Sequence, residues 1–541
     1  MKMFCYQCQE TVNNSGCTMR GVCGKDAETA NLQDLLIYIL SGIALRAEKC
    51  GEKFDRPLGR FVYRALFATI TNVNFSSERI TSLITEGISL RDGIGEASCE
   101  GFTEEAAVWK GETAEELNEK ASGVGILSLS DNEDVRSLKS FLLYGIKGIA
   151  AYSEHAAHLG YYSRDVLDFM REGLAALRKD LPAEELTELL LEAGSAAATA
   201  MELLDRANTE TYGDPEPVQV PLKPRSNPGI LVSGHDLRDL EEILKQSRGR
   251  GIDVYTHGEM LPANAYPELR KYTHLAGNYG SSWWRQGAEF ESFRGPVVLT
   301  TNCLIPVKDS YRERIFTANE VGYPGIEHIP SNESGAKDFS RVIEMAAESE
   351  PPVPLEEGEL TCGFARKRLE ESAGDIIAAV KAGDISRMIV MAGCDGRHPS
   401  REYYSRVAEK LPSDTLILTA GCAKYRYNKL GLGEAGGIPR VIDAGQCNDS
   451  YSLGVTALKL KEALGLEDVN GLPLSLDIAW YEQKAVAVLL ALIHLGFRNI
   501  RLGPTLPGFL SPGVGKAFSE RFAIRLISDP DEDVSGMMEG K

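Results

Sequence analysis

The segment Asp214–His235, DPEPVQVPLKPRSNPGILVSGH, decides how the chain is divided. Its first fifteen residues hold Pro215, Pro217, Pro221, Pro224 and Pro228. Five fixed φ angles and five missing N–H groups cannot continue a helix, so a boundary is placed here. The run that follows, Gly229-Ile-Leu-Val-Ser-Gly-His235, is apolar, partly β-branched and closed by Ser-Gly, which predicts a buried strand ending just before a histidine.

Upstream of this break the apolar residues recur at helical spacing. Leu32, Leu35, Leu36, Ile39, Leu40 and Ile43 form one such stripe, and Leu167, Met170, Leu174 and Leu177 another. From Ala30 to about Asn208 the reading is an all-helical region of bundle type. Downstream, strand runs alternate with helical ones. Strands are expected at Gly229–Ser233, Ile252–Thr256, Val297–Thr301, Met388–Ala392, Thr415–Thr419 and Arg440–Asp443, with a helix near Leu237–Gln246. This alternation points to α/β domains with mainly parallel sheets. A second Pro-rich, acidic stretch, Glu348–Gly358, divides them. The expected domains are residues 1–216 (helical), 217–355 (first α/β) and 356–541 (second α/β), in line with about three domains for a chain of 541 residues.

Composition narrows the function classes. Against 58 Lys and Arg stand 78 Asp and Glu, a net charge of −20, and no basic run offsets it. A phosphate-tracking face is therefore not expected, nor a nucleic-acid partner. The longest apolar stretches, Leu35–Leu45 and Ala485–Phe497, fall short of the ~18–20 residues of a membrane span and read as buried helices. The opening MKMFCYQCQE lacks the apolar core of a secretory signal, so a cytoplasmic location is expected. Eleven cysteines, unevenly placed, do not make a disulfide scaffold, and in a reducing compartment clustered thiols bind metal or do redox chemistry.

Cys5, Cys8, Cys17 and Cys23 form C-x2-C-x8-C-x5-C. Four thiolates in one short loop suit an iron–sulfur cluster. Structural zinc remains open, although such zinc sites usually present two tight pairs. In the α/β half, six expected strands each run into a potential ligand just past the carboxyl end: His235, Glu259, Cys303, Cys394, Cys422 and Cys447. Ligands of open parallel sheets bind at that edge. A mixed thiolate, imidazole and carboxylate set suits iron in a partly oxygenated environment better than zinc. His257 reads as a histidine satisfied by its neighbours rather than a ligand, and Trp283 and Trp284 as packed core. Gly431–Gly436 spells G-x-G-x-x-G without the strand before and helix after that a dinucleotide site needs. Cys50, Cys99 and Cys362 have no ligand-like neighbours and read as structural or free thiols.

These residues resemble the hybrid cluster protein family, the prismane proteins or hydroxylamine reductases. The resemblance spans the whole chain and rests on FCYQCQET, ETANLQDLL, GHDL, THGEMLPA, TTNC, AGCDGRHPSREYY, AGCAKYRYN, DAGQCND and WYEQKAV. It implies a helical domain followed by two Rossmann-like domains. It implies a [4Fe-4S] cluster on Cys5, Cys8, Cys17 and Cys23, in the narrow-spacing branch of the family. It further implies a hybrid [4Fe-2S-2O]-type cluster at the domain interface, held by His235, Glu259, Cys303, Cys394 as a persulfide, Cys422, Cys447 and Glu482. Glu482 enters only through the resemblance, since on its own it reads as a first-turn carboxylate favoured by the helix dipole. The activity implied is reduction of hydroxylamine to ammonia and water, with Glu259, Glu482, Lys484 and His235 in the catalytic roles. Nitric oxide reduction, a redox carrier or sensor without rapid turnover, and a carbon monoxide dehydrogenase-like enzyme are the alternatives. The partners implied are a small N–O substrate and a separate electron-donor protein.

Overall fold

The structure is a computed structural model that describes residues 2–95, 99 and 101–541. Long helices fill the first two hundred residues, with Ala27–Lys49, Glu133–His158 and Ala183–Tyr212 at their centre. Each of the first two begins at a polar cap. The Asp26 carboxylate accepts the Thr29 N–H at 2.8 Å, and the Asn132 side chain accepts from Asp134 and Val135. The helix Glu133–His158 is buried along nearly its whole length, as expected of a helix surrounded by others.

Two six-stranded parallel sheets follow. In the first, Gly229–Ser233 lies between Asp253–His257 and Val297–Leu299, with Leu275–Asn278 at one edge and Ile315–Ala318 and Glu327–Ile329 at the other. In sequence rank that order is 3-2-1-4-5-6, the doubly wound arrangement. The second sheet repeats it. Arg387–Gly393 lies between Thr415–Thr419 and Leu474–Ala479, flanked by Val441–Asp443 on one side and by Ile500–Gly503 and Arg525–Leu526 on the other. The expected fold class is therefore observed: a helical part and two α/β parts with parallel sheets.

Both Pro-rich joins contain a short strand that the sequence reading leaves as linker. Val218–Pro221 and Glu359–Cys362 pair antiparallel, tying the two joins together. We propose the division at residues 216 and 355 on that basis, with the ribbon as the seam between the three parts.

The helix Gln483–His494 leaves the second sheet and packs on the two long helices Glu133–His158 and Ala183–Tyr212. Close approach depends on small residues. A Cβ on Gly148 would sit 2.4 Å from the Gln483 carbonyl oxygen, and one on Gly194 2.4 Å from that of Leu490. This contact fixes the start of the helix, where Glu482 and Lys484 stand. Among the described residues no helix is long and apolar enough to cross a membrane.

Candidate metal centres

In each sheet the order reverses beside the first strand, and the crevice beyond the carboxyl ends at that point is where such folds take ligands. His235, Glu259 and Cys303 follow the strands ending at Ser233, His257 and Leu299. Cys394, Cys422, Cys447 and Glu482 follow those ending at Gly393, Thr419, Asp443 and Ala479. All seven side chains, with Lys484, line one cavity between the two sheets and the start of the Gln483–His494 helix. Two glycines let the second sheet's turns crowd together. Gly393 (φ 113°) would place a Cβ 2.0 Å from the Ala479 carbonyl oxygen, and Gly421 (φ 88°) one 2.4 Å from that of Gly393.

Three of the donors stand close together. Donor atoms of His235, Glu259 and Cys447 all lie within 4.8 Å of one another. The His235 Nε2 is 3.6 Å from Glu259 Oε2 and 3.8 Å from Cys447 Sγ, while Nδ1 pairs with Thr301 Oγ1 at 2.9 Å. Burial, then the Lys484 ammonium, pushes His235 well below its ordinary pKa. A neutral imidazole keeps a lone pair for a metal. Glu259 Oε2 accepts the Cys447 N–H at 2.8 Å, whereas its Oε1 is buried with no partner. Glu482 Oε2 caps its helix by accepting the Lys484 N–H at 2.8 Å, and its Oε1 faces Asn302 Nδ2 at 3.4 Å. The sequence reads Glu482 as a first-turn carboxylate; the structure sets it one position earlier, as the cap, with its other oxygen at the cavity.

Lys484 Nζ stands 2.9 Å from His235 Nε2, 2.9 Å from Asn302 Oδ1 and 3.8 Å from Glu482 Oε1. Burial opposes its charge, but Cys447, Glu482, Cys303 and Glu259 outweigh burial and hold its pKa above the ordinary lysine value. The thiols shift upward too, which for them favours the neutral form. Burial pushes Cys447 up to about 12 against the pull of Lys484, and it raises Cys303, Cys394 and Cys422 well above the usual range.

The N-terminal cysteines occupy a compact loop in which Cys5 and Cys17 exchange backbone hydrogen bonds of 3.0 and 2.8 Å. Burial pushes Cys5 up to about 11, and burial together with Cys23, Cys5, Glu10 and Cys17 raises Cys8. Among the described residues no three of these sulfurs lie within 4.8 Å of one another. The loop is fastened to the cavity wall. Gln9 N–H donates to the Tyr481 carbonyl at 2.9 Å, and Gln483 Nε2 to the Gln7 carbonyl at 2.5 Å. Arg401 bridges the Gln9 side chain (3.1 Å), the Trp480 carbonyl (2.7 Å) and the Cys394 carbonyl (3.1 Å).

A sequence model of the Prismane/CO dehydrogenase family matches residues 3–535. The chain belongs to the Prismane/CO dehydrogenase family. A hydroxylamine reductase of Nitratidesulfovibrio vulgaris is 56% identical over 100% of both chains. One from Chlorobaculum tepidum is 56% identical, covering 99% of this chain and 100% of its own. Among solved structures, carbon monoxide dehydrogenase IV of Carboxydothermus hydrogenoformans superposes with a TM-score of 0.58 at 17% identity, covering 99% of this chain and 92% of that one. That likeness shows the family's shared fold.

Other sequence readings meet mixed outcomes. His257 has both ring nitrogens paired, with Ser233 Oγ and Glu289 Oε2 at 2.9 Å each, and so is satisfied as expected. Trp283 is buried as expected, in an apolar cluster with Cys422 and Tyr481, and that cluster faces the cavity. It lines the cavity with its ring 4.6 Å from that of Tyr481, because its indole N–H is held by the Asp395 carbonyl at 3.0 Å. Asn302 and Tyr481 line it too; both lie in quoted motifs, TTNC and WYEQKAV, but the sequence does not single them out as site residues. Tyr152, on the helix Glu133–His158, sets its hydroxyl close enough to Cys447 to bear on that thiol's titration. The signal for Glu482 was available: LSLDIA, residues 474–479, is a further parallel strand beyond the six expected from the sequence, and Glu482 is its strand-end ligand candidate.

Proposed function

We propose that this chain is an iron–sulfur oxidoreductase that reduces hydroxylamine to ammonia and water, consuming two electrons and two protons. The observation that carries this reading is the single cavity that gathers four thiols, one imidazole, two carboxylates and one ammonium. The donor chemistry fits a hybrid Fe–S–O cluster. Soft sulfurs suit sulfide-bridged iron, and the neutral His235 and the partnerless Glu259 Oε1 suit its oxygen-rich end. Burial resists the loss of the thiol protons, and only a strong local positive charge such as bound iron offsets that.

In this reading His235, Glu259, Cys303, Cys394 (as a persulfide), Cys422, Cys447 and Glu482 hold a [4Fe-2S-2O]-type cluster. Cys5, Cys8, Cys17 and Cys23 hold a [4Fe-4S] cluster. When bound, these groups supply the electrons and a Lewis-acidic iron that polarises the N–O bond.

The chain's own residues supply the rest. Lys484 Nζ, held by Asn302 Oδ1, carries a proton to the oxygen that leaves as water. Glu482 Oε1, 3.8 Å from that ammonium, takes part in restoring the proton. Trp283 and Tyr481 keep bulk water out and confine the opening to a small molecule. The hydrogen bonds joining Gln7 and Gln9 to Gln483 and Tyr481 favour entry of electrons from the N-terminal loop, delivered by a separate donor protein in the cytoplasm. The names of the relatives favour hydroxylamine over nitric oxide and over a carrier without turnover.

The test is anaerobic turnover with reduced methyl viologen as donor. The expected result is hydroxylamine-dependent dye oxidation with one ammonia formed per hydroxylamine. Dye oxidation without ammonia, or none at all in iron-replete protein, contradicts the reading.

A further inference from the structure

A histidine binds a metal only through a ring nitrogen that carries no proton, and the hydrogen bond made by the other nitrogen decides which one is bare. His235 is the one imidazole lining the candidate cavity among the described residues. Its Nδ1 lies 2.9 Å from Thr301 Oγ1, and the same hydroxyl accepts the His235 backbone N–H, also at 2.9 Å. One side chain thus holds both the backbone and the ring of His235. The approach requires a glycine beside the histidine. A Cβ on Gly234 (φ 126°) would stand 2.7 Å from Thr301 Oγ1 and 2.4 Å from Thr300 Oγ1.

Counting protons fixes the tautomer. A threonine hydroxyl offers one proton and two lone pairs. The His235 N–H occupies one lone pair. The hydroxyl donates its proton to the Asn302 carbonyl, 3.3 Å away and able only to accept. The lone pair that remains faces Nδ1, which therefore carries the proton of the ring. The far side of the ring gives the same answer. Nε2 lies 2.9 Å from Lys484 Nζ, and an ammonium has donors only. The other near neighbours of that ammonium, Asn302 Oδ1 at 2.9 Å and Glu482 Oε1 at 3.8 Å, are acceptors too. A protonated Nε2 would set two donors face to face, whereas a bare one accepts. Glu259 Oε2, 3.6 Å from Nε2, is beyond hydrogen-bond reach and already accepts the Cys447 N–H.

We propose that Thr301 is a positioning residue of the site: its hydroxyl accepts the Nδ1–H of His235, locks the ring in that tautomer and presents a bare Nε2 to the metal. The proposal rests on the reading of the cavity as the iron centre of a hydroxylamine reductase. Thr301 acts through His235 and is not itself a ligand candidate. Nε2 is the ring atom that faces the other two members of the close donor group, with Glu259 Oε2 at 3.6 Å and Cys447 Sγ at 3.8 Å. The hydroxyl therefore selects the nitrogen that stands with them, and without it the ring is free to carry its proton on the wrong side.

The experiment compares Thr301→Val, which removes the hydroxyl at similar volume, with Thr301→Ser, which keeps it, both as holoprotein purified without oxygen. Electron spin-echo envelope modulation of the paramagnetic cavity centre reads the remote nitrogen of a metal-bound imidazole. Its quadrupole coupling reports whether that nitrogen carries a proton and how strongly the proton is hydrogen-bonded. The unmodified protein and Thr301→Ser are expected to show a protonated, hydrogen-bonded remote nitrogen. Thr301→Val is expected to show a raised coupling and to hold its cavity iron about 10- to 100-fold less tightly against a chelator. An unprotonated remote nitrogen in the unmodified protein overturns the proposal, and that spectrum decides the tautomer even where the valine variant does not fold. Coupling and iron retention in Thr301→Val equal to those of the unmodified protein overturn it as well. An unmodified protein with about four irons per chain, or one that makes no ammonia from hydroxylamine, overturns the underlying reading instead, so the two failures are distinguishable.

Discussion

Lys484→Met is expected to lower hydroxylamine turnover by about 100-fold to 10,000-fold while leaving the iron content intact. The reason is positional. Lys484 Nζ is the one ammonium lining the cavity among the described residues, and it is 2.9 Å from both His235 Nε2 and Asn302 Oδ1. Its surroundings hold it in the charged form, because the thiols and carboxylates around it outweigh burial. A buried ammonium kept protonated can give its proton to a leaving oxygen and regain it afterwards. Methionine matches its length and keeps the packing, so the loss isolates the proton and the charge. Iron assay and cluster absorbance serve as controls, since no thiolate or imidazole is removed. Turnover within about twofold of the unmodified protein would remove Lys484 from the mechanism.

Cys447→Ser is expected to strip about half of the iron and to abolish turnover. Cys447 holds two positions at once. Its sulfur belongs to the only close group of donors at the cavity among the described residues, with His235 and Glu259, and its N–H fixes Glu259 Oε2 at 2.8 Å. Serine preserves the N–H but offers a hard, protonated oxygen in place of a soft sulfur. The absorbance of the N-terminal centre should survive, because Cys5, Cys8, Cys17 and Cys23 lie in a separate loop. Full iron and full activity in this variant would show that Cys447 is not a ligand.

How much of this is legible in the sequence follows from where each signal lies. The Pro-rich break at residues 214–228 and the strand–helix alternation after it separate the helical part from the α/β part, because backbone-level rules suffice there. The strand-end placement of six residues is legible for the same reason. The pairing of the two sheets across one cavity is not: the contact from Asn302 to Glu482 spans 180 positions and depends on packing that no local pattern encodes. Glu482 escapes a reading of the residues alone unless LSLDIA is taken as a strand, and its carboxylate otherwise looks like an ordinary cap. Trp283 reads as core because an aromatic residue carries the same apolar signal whether it faces a cavity or fills one.

The central claim is that the strand-end constellation holds a second iron centre in addition to the N-terminal one. Iron and acid-labile sulfide, counted per chain on protein purified without oxygen, test it most directly. The account predicts about eight irons per chain, as two four-iron centres require. A count of about four would leave only the N-terminal cluster, and the cavity of seven aligned donors would then have no iron to hold.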